Sequence, residues 1–216
     1  MQGLLRLSRL IDSISERVGR GALWLVLVAV VISAINAIVR KVFNTSSNAF
    51  LEVQWYLFAG VFLLGSAYTM LRQGHVKIDV ILGRFSKRTQ IMVDMFGIVF
   101  FLMPFVYTVI TLVWPLVINA YNSGEMSENA GGLMRWPVYA LVPIGFALLG
   151  LQGVSEFIKR LAFLRGQGPD PTAEVGAQSA EQELAEEIRK HQVAPEVAAS
   201  AHDAVDIATN HHEQRP

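Results

Sequence analysis

The sequence contains no cysteine. That absence removes disulfides, thiolate nucleophiles and cysteine-ligated metal or iron–sulfur centres from consideration. Charge is scarce as well: 17% of residues are Asp, Glu, Lys or Arg, against about 25% in an average soluble domain. Four stretches carry no charged residue and no histidine at all, residues 21–39, 53–71, 95–124 and 136–155. Intramembrane ionisable groups mark ion paths and proton relays, and a membrane cytochrome needs axial histidines within its helices. All five histidines (75, 191, 202, 211 and 212) lie outside the four runs. Ser33, Ser66 and Ser155 have no histidine at the same depth to act as base, so a membrane protease is disfavoured too. The tail histidines match no compact metal-ligand spacing and read as solvated. The sequence therefore points away from an enzyme, and no cofactor or metal site is expected.

What is present is length and apolarity. A membrane-crossing helix needs about 20 apolar residues, and the four runs predict spans at about 21–40, 52–72, 90–121 and 137–160. The third is too long for an upright crossing and should tilt or project, with Pro104 and Pro115 kinking it. Pro137 sits where a helix start tolerates proline, and Pro143 should bend the fourth span. The first run is too long for a signal-peptide core and no small-residue cleavage site follows it, so it reads as an uncleaved anchor. Lys and Arg counts in the flanking segments are 12 on the side of the termini against 3 (Arg40, Lys41 and Arg135) on the other. The positive-inside rule then places both termini in the cytoplasm. Trp24, Trp55, Trp114 and Trp136 fall near span ends, as an aromatic belt requires.

The two ends differ from the middle. In residues 1–20, Leu4, Leu7, Ile11, Ile14 and Val18 recur at spacings of three and four, opposite Arg6, Arg9, Ser13, Glu16, Arg17 and Arg20. This predicts an amphipathic helix that either lies in the lipid interface or packs on a partner's cytoplasmic surface. Residues 166–216 start with Gly and Pro and hold 3 basic against 10 acidic residues, where residues 1–165 hold 15 against 8. That composition predicts an acidic, disordered cytoplasmic tail, with a short helix possible around "SAEQELAEEIRKH". Membrane lipid is the expected surroundings, and nothing in the sequence points to nucleic acid.

Within the runs, Asn36, Ser66, Tyr68 and Asn119 are suited to helix–helix hydrogen bonds. Glu52 and Asp94 stand near the N-terminal ends of spans two and three, where a carboxylate meets the positive end of the helix dipole.

The order of motifs around span two carries a resemblance. Glu52, Trp55 and the following "YLF", then "LLGSAY" with Gly65, then "GHVKIDV" at 74–80, together with four spans and both termini inside, resemble the small membrane subunit (DctQ-type) of tripartite ATP-independent periplasmic (TRAP) transporters. The likeness covers about residues 10–165. The stretch "NSGEMSENAGGLMRWPVYALVPIGF" resembles the branch labelled mannitol/chloroaromatic or keto-acid type. The resemblance implies an all-α integral protein of the bacterial inner membrane. Such a subunit is non-catalytic and scaffolds a large permease subunit, which performs sodium-driven uptake of an organic acid delivered by a periplasmic binding protein. It also implies candidate partner-interface residues: Glu52, Trp55, Gly65, Gly74, His75 and Asp79. Glu52 would cap span two at the periplasmic face and share a helix face with Trp55, ready to grip a basic group of the large subunit. Gly74 would permit a tight turn after the helix, Asp79 would cap or pair locally, and His75 would be either a turn residue or a partner contact. Two other readings stand beside this one. The first is a self-sufficient proton-coupled exporter with Glu52 as its proton site. The second, a membrane-bound enzyme subunit, lacks the histidines and cysteines it would need.

Overall fold

The computed structural model describes residues 2–43, 48–73, 85–129 and 131–168. Among them the chain is helical, with a single isolated bridge and no strand. Four helices are long and apolar enough to cross a membrane. They are α1 (Gln2–Phe43), α2 (Asn48–Leu71), α3 (Lys87–Ser123) and α4 (Trp136–Leu164).

α1 runs without a break through the segment expected to form a separate interfacial helix. Its 42 residues correspond to about 63 Å at 1.5 Å per residue, roughly twice a hydrocarbon core of about 30 Å. The first turns bury only part of the apolar stripe seen in the sequence. Ser8, Ile11, Ser15, Gly19 and Ala22 face inward, while Leu4, Leu7, Leu10 and Ile14 remain exposed. The small residues let the helix lie close to its neighbours: a Cβ added at Gly19 would come within 2.4 Å of Tyr68 Cβ on α2.

α4 is the central element and packs on α1, α2 and α3. Its buried face alternates small and polar residues, including Gly145, Gly150, Gln152, Gly153, Ser155 and Ala162. Between apolar helices in lipid, close backbone approach supplies the packing that burial from water supplies elsewhere. Gly145 shows this directly, since a Cβ there would stand 2.8 Å from the backbone oxygen of Leu63 on α2.

α3 starts at Lys87 behind Ser86, whose hydroxyl accepts from the Thr89 N–H (3.4 Å). Asp94 therefore lies two turns inside the helix, not at its N-terminus as the span boundaries suggested. The helix widens into a π-turn over Ile98–Leu102. Pro104 follows at once, and having no N–H it cannot continue the ladder. The Met103 N–H reaches back to Ile98 O, a five-residue step that absorbs the mismatch. Pro115 and Pro143 lie inside α3 and α4.

At the end of α2, Gln73 takes the left-handed conformation (φ 53°) and its N–H bonds Met70 O (3.1 Å). A turn is thus under way at Gln73. Gly74, His75, Asp79 and the tail beyond residue 168 lie outside the described residues.

Candidate functional site

The segment between α3 and α4 folds as a small closed loop. Gly124 (φ 60°) ends α3 in the left-handed conformation, and the Glu125 N–H returns to Ala120 O (3.1 Å). Glycine adopts that conformation without the Cβ penalty. Met126 and Met134 then form an antiparallel bridge, flanked by Ser127 N–H to Leu133 O (2.9 Å) and Arg135 N–H to Glu125 O (3.0 Å). The Gly132 N–H bonds Asn129 O (2.9 Å) at its tip.

Glu52 of α2 holds this loop. Its carboxylate accepts from the Ser127 hydroxyl, from Asn129 Nδ2 (2.8 Å) and from the Leu133 N–H (2.6 Å). One turn further along α2, the Tyr56 hydroxyl donates to Met134 O (3.0 Å). A second carboxylate, Glu125, pairs with Arg135 (3.3 Å) and accepts from the Tyr139 hydroxyl (3.4 Å), tying the loop to the start of α4. Tyr121 and Trp136 meet edge to face at 5.5 Å between ring centroids across the same junction.

This geometry corrects the expected role of Glu52. The side chain is 7% exposed, whereas Trp55 is 74% exposed, so the two do not form one gripping surface. Three donors of the chain's own loop occupy the place assigned to a partner's cation. Trp55 stands outward, and Gly65 has open space where a Cβ would be. The loop partners Ser127, Asn129 and Leu133 escaped the sequence reading because they lie 75, 77 and 81 positions from Glu52. The one local signal was a cluster of small polar residues and glycines just ahead of the fourth span.

At the opposite end of the bundle a second polar network joins α1, α3 and α4. Asp12 accepts from Ser155 (2.7 Å) and Gln152 (2.9 Å) and faces Lys159 (3.3 Å). The Ser15 hydroxyl donates to Gln152 Oε1 (2.7 Å), and the Ser8 and Ser155 hydroxyls share a 2.7 Å contact. Glu156, buried, lies between Lys159 and Arg160, and Arg160 also pairs with Asp94 of α3 (3.2 Å). Arg72, at the end of α2, reaches Glu16 of α1 (2.8 Å). The charges that border the apolar runs at this end therefore meet one another within the chain. Among the described residues no group of three or more His, Cys, Asp or Glu could hold a metal ion.

A family model described as "Tripartite ATP-independent periplasmic transporters, DctQ component" matches residues 27–163. No curated protein and no solved structure matches the chain.

Proposed function

Because this chain belongs to the DctQ component family of tripartite ATP-independent periplasmic transporters, a family of transport components and not of enzymes, we propose that it is the non-catalytic small membrane subunit of such a system. In this reading it scaffolds a large permease subunit in the bacterial inner membrane. The large subunit performs sodium-driven uptake of an organic acid brought by a periplasmic binding protein. The N-terminal turns of α1 pack on the C-terminal turns of α4 through Ser8, Asp12, Ser155 and Lys159. That contact supports two termini on one side, and the Lys and Arg distribution supports the cytoplasmic side.

The observation that carries the proposal is the commitment of Glu52. A proton carrier must exchange its carboxyl with water, and here the ionised form is held by three internal donors in a buried position. The residue that an autonomous exporter would need is occupied in shaping a loop. That loop lies on the face opposite the termini, where the binding protein would arrive, with Glu128 and Asn129 exposed. The test is reconstitution: the chain alone should give no sodium- or proton-dependent uptake of organic acids, and co-expression with the large permease subunit should yield a complex that co-purifies. Uptake by the lone chain would overturn the reading.

A further inference from the structure

At the joined ends of α1 and α2, on the side away from the termini, a cavity of about 470 Å³ opens among Ser33, Asn36, Ala37, Arg40, Lys41, Leu51 and Gln54. Its volume falls in the range of small-ligand sites, about 300–1,000 Å³. Ser33, Asn36, Ala37 and Arg40 recur at helical spacing and form one stripe of α1, facing Leu51 and Gln54 one turn apart on α2. Two buried polar atoms of the lining residues have no hydrogen-bond partner among the described residues: Asn36 Oδ1 and Gln54 Nε2. Asn36 is 9% exposed. A buried polar atom left unpaired costs about 1–3 kcal/mol, so an orphan acceptor on α1 and an orphan donor on α2 leave the site to be completed by something else.

The rim indicates what that is. Arg40 and Lys41 supply two positive charges, and among the described residues no carboxylate lines the cavity. They are also two of the three basic residues on the side that the positive-inside rule leaves poor in them. They end an apolar run of 19 residues, which places them at headgroup depth if α1 crosses the bilayer. The occupant must offer an anion to Arg40 and Lys41, an acceptor to Gln54 and a donor to Asn36. A phosphodiester supplies the first two. The donor must be a neutral hydroxyl, because an ammonium group would be repelled by the two cations, and choline has no donor.

We propose that this cleft binds the phosphoglycerol headgroup of an anionic phospholipid, with Arg40 and Lys41 on the phosphate, Gln54 Nε2 on a phosphate oxygen and Asn36 Oδ1 accepting from a glycerol hydroxyl. The proposal is independent of the transport reading; it requires only that α1 and α2 cross a membrane.

The full-length chain, delipidated in detergent, is titrated with dioctanoyl phosphatidylglycerol, phosphatidylethanolamine or phosphatidylcholine, and bound lipid is counted by native mass spectrometry. Phosphatidylglycerol should bind at least roughly tenfold more tightly than phosphatidylcholine, the difference expected for losing one buried hydrogen bond and a net charge. Arg40→Gln with Lys41→Gln should abolish that preference, while the charge-preserving pair Arg40→Lys with Lys41→Arg keeps it. Asn36→Leu should bring phosphatidylglycerol down toward phosphatidylethanolamine without changing phosphatidylcholine. Sodium phosphate at millimolar concentration should not displace the lipid; if it does, the cleft is a free-phosphate site and the lipid assignment fails. Equal binding of the three lipids by the wild-type chain, or an unchanged preference in the Gln pair, overturns the proposal and leaves the cleft to a protein partner.

Discussion

Glu52 shows how far a single residue can be read without its neighbours. Its position near the start of a span is visible in the sequence, and a helix-dipole or partner role follows naturally from it. Its actual partners are a hydroxyl, an amide and a backbone N–H on a loop more than seventy positions away. No periodicity connects them. The consequence is testable. Glu52→Ala removes the acceptor from all three donors, and Glu52→Gln presents an amide that can accept on one side only. Amide exchange at Leu133 should accelerate by on the order of tenfold in Glu52→Gln and more in Glu52→Ala, measured by hydrogen exchange of the purified chain. Unchanged protection would mean that the bridge between Met126 and Met134 holds the loop unaided. Arg160 gives a second expectation at this scale. It is nearly buried and pairs with Glu156 and Asp94. Arg160→Leu takes the guanidinium from two carboxylates at once, and breaking a buried pair in this way costs about 3–5 kcal/mol. Asp94→Asn, which leaves Glu156 on Arg160, should cost distinctly less. Thermal unfolding in one detergent separates the two.

At the scale of elements, the helices were legible because the criterion is blunt: a charge-free run long enough to cross a bilayer leaves few alternatives. The runs at 53–71 and 136–155 sit inside α2 and α4. The observed helices extend past the runs because the flanking charges need not leave the helix; Lys159 and Arg160 stay in α4 by pairing with α1 and α3, and Glu156 by pairing with both of them. The inward face of α1 was not legible. The serines and glycine at positions 8, 15 and 19 belong to neither the apolar stripe nor the charged face seen in the sequence, yet in a lipid-embedded bundle small and hydrogen-bonding residues mark the contact, and leucines turn outward. Gly145 tests this packing rule. Its missing Cβ brings Leu63's backbone within 2.8 Å of where that atom would be, and backbone cannot step aside as a rotamer can. Gly145→Leu should destabilise the α2–α4 contact by about 1–3 kcal/mol or more, seen as a lowered detergent unfolding temperature. Gly65→Leu on the same α2 meets open space and should leave the chain's own stability unchanged.

Among the described residues the helices form a bundle with an internal polar network at each end, Asp12–Gln152–Glu156–Arg160 at one and the Glu52 loop at the other. Along the apolar runs the outward surface is apolar and aromatic, with Trp24, Phe62, Phe101, Tyr107 and Leu112 each well exposed. Such a molecule suits a scaffold that presents faces to lipid and to a larger subunit. The absence of cysteine makes its topology directly measurable. Single cysteines at positions 128 and 168 should differ, the first reacting with a membrane-impermeant maleimide added outside intact cells and the second only after lysis. The central claim, that this chain supports transport without carrying anything itself, is tested most directly in proteoliposomes under an inward sodium gradient. The account predicts no organic-acid uptake from the chain alone and uptake when it is combined with its large permease subunit and binding protein. Gradient-dependent uptake by the lone chain, lost in Glu52→Gln, would contradict it.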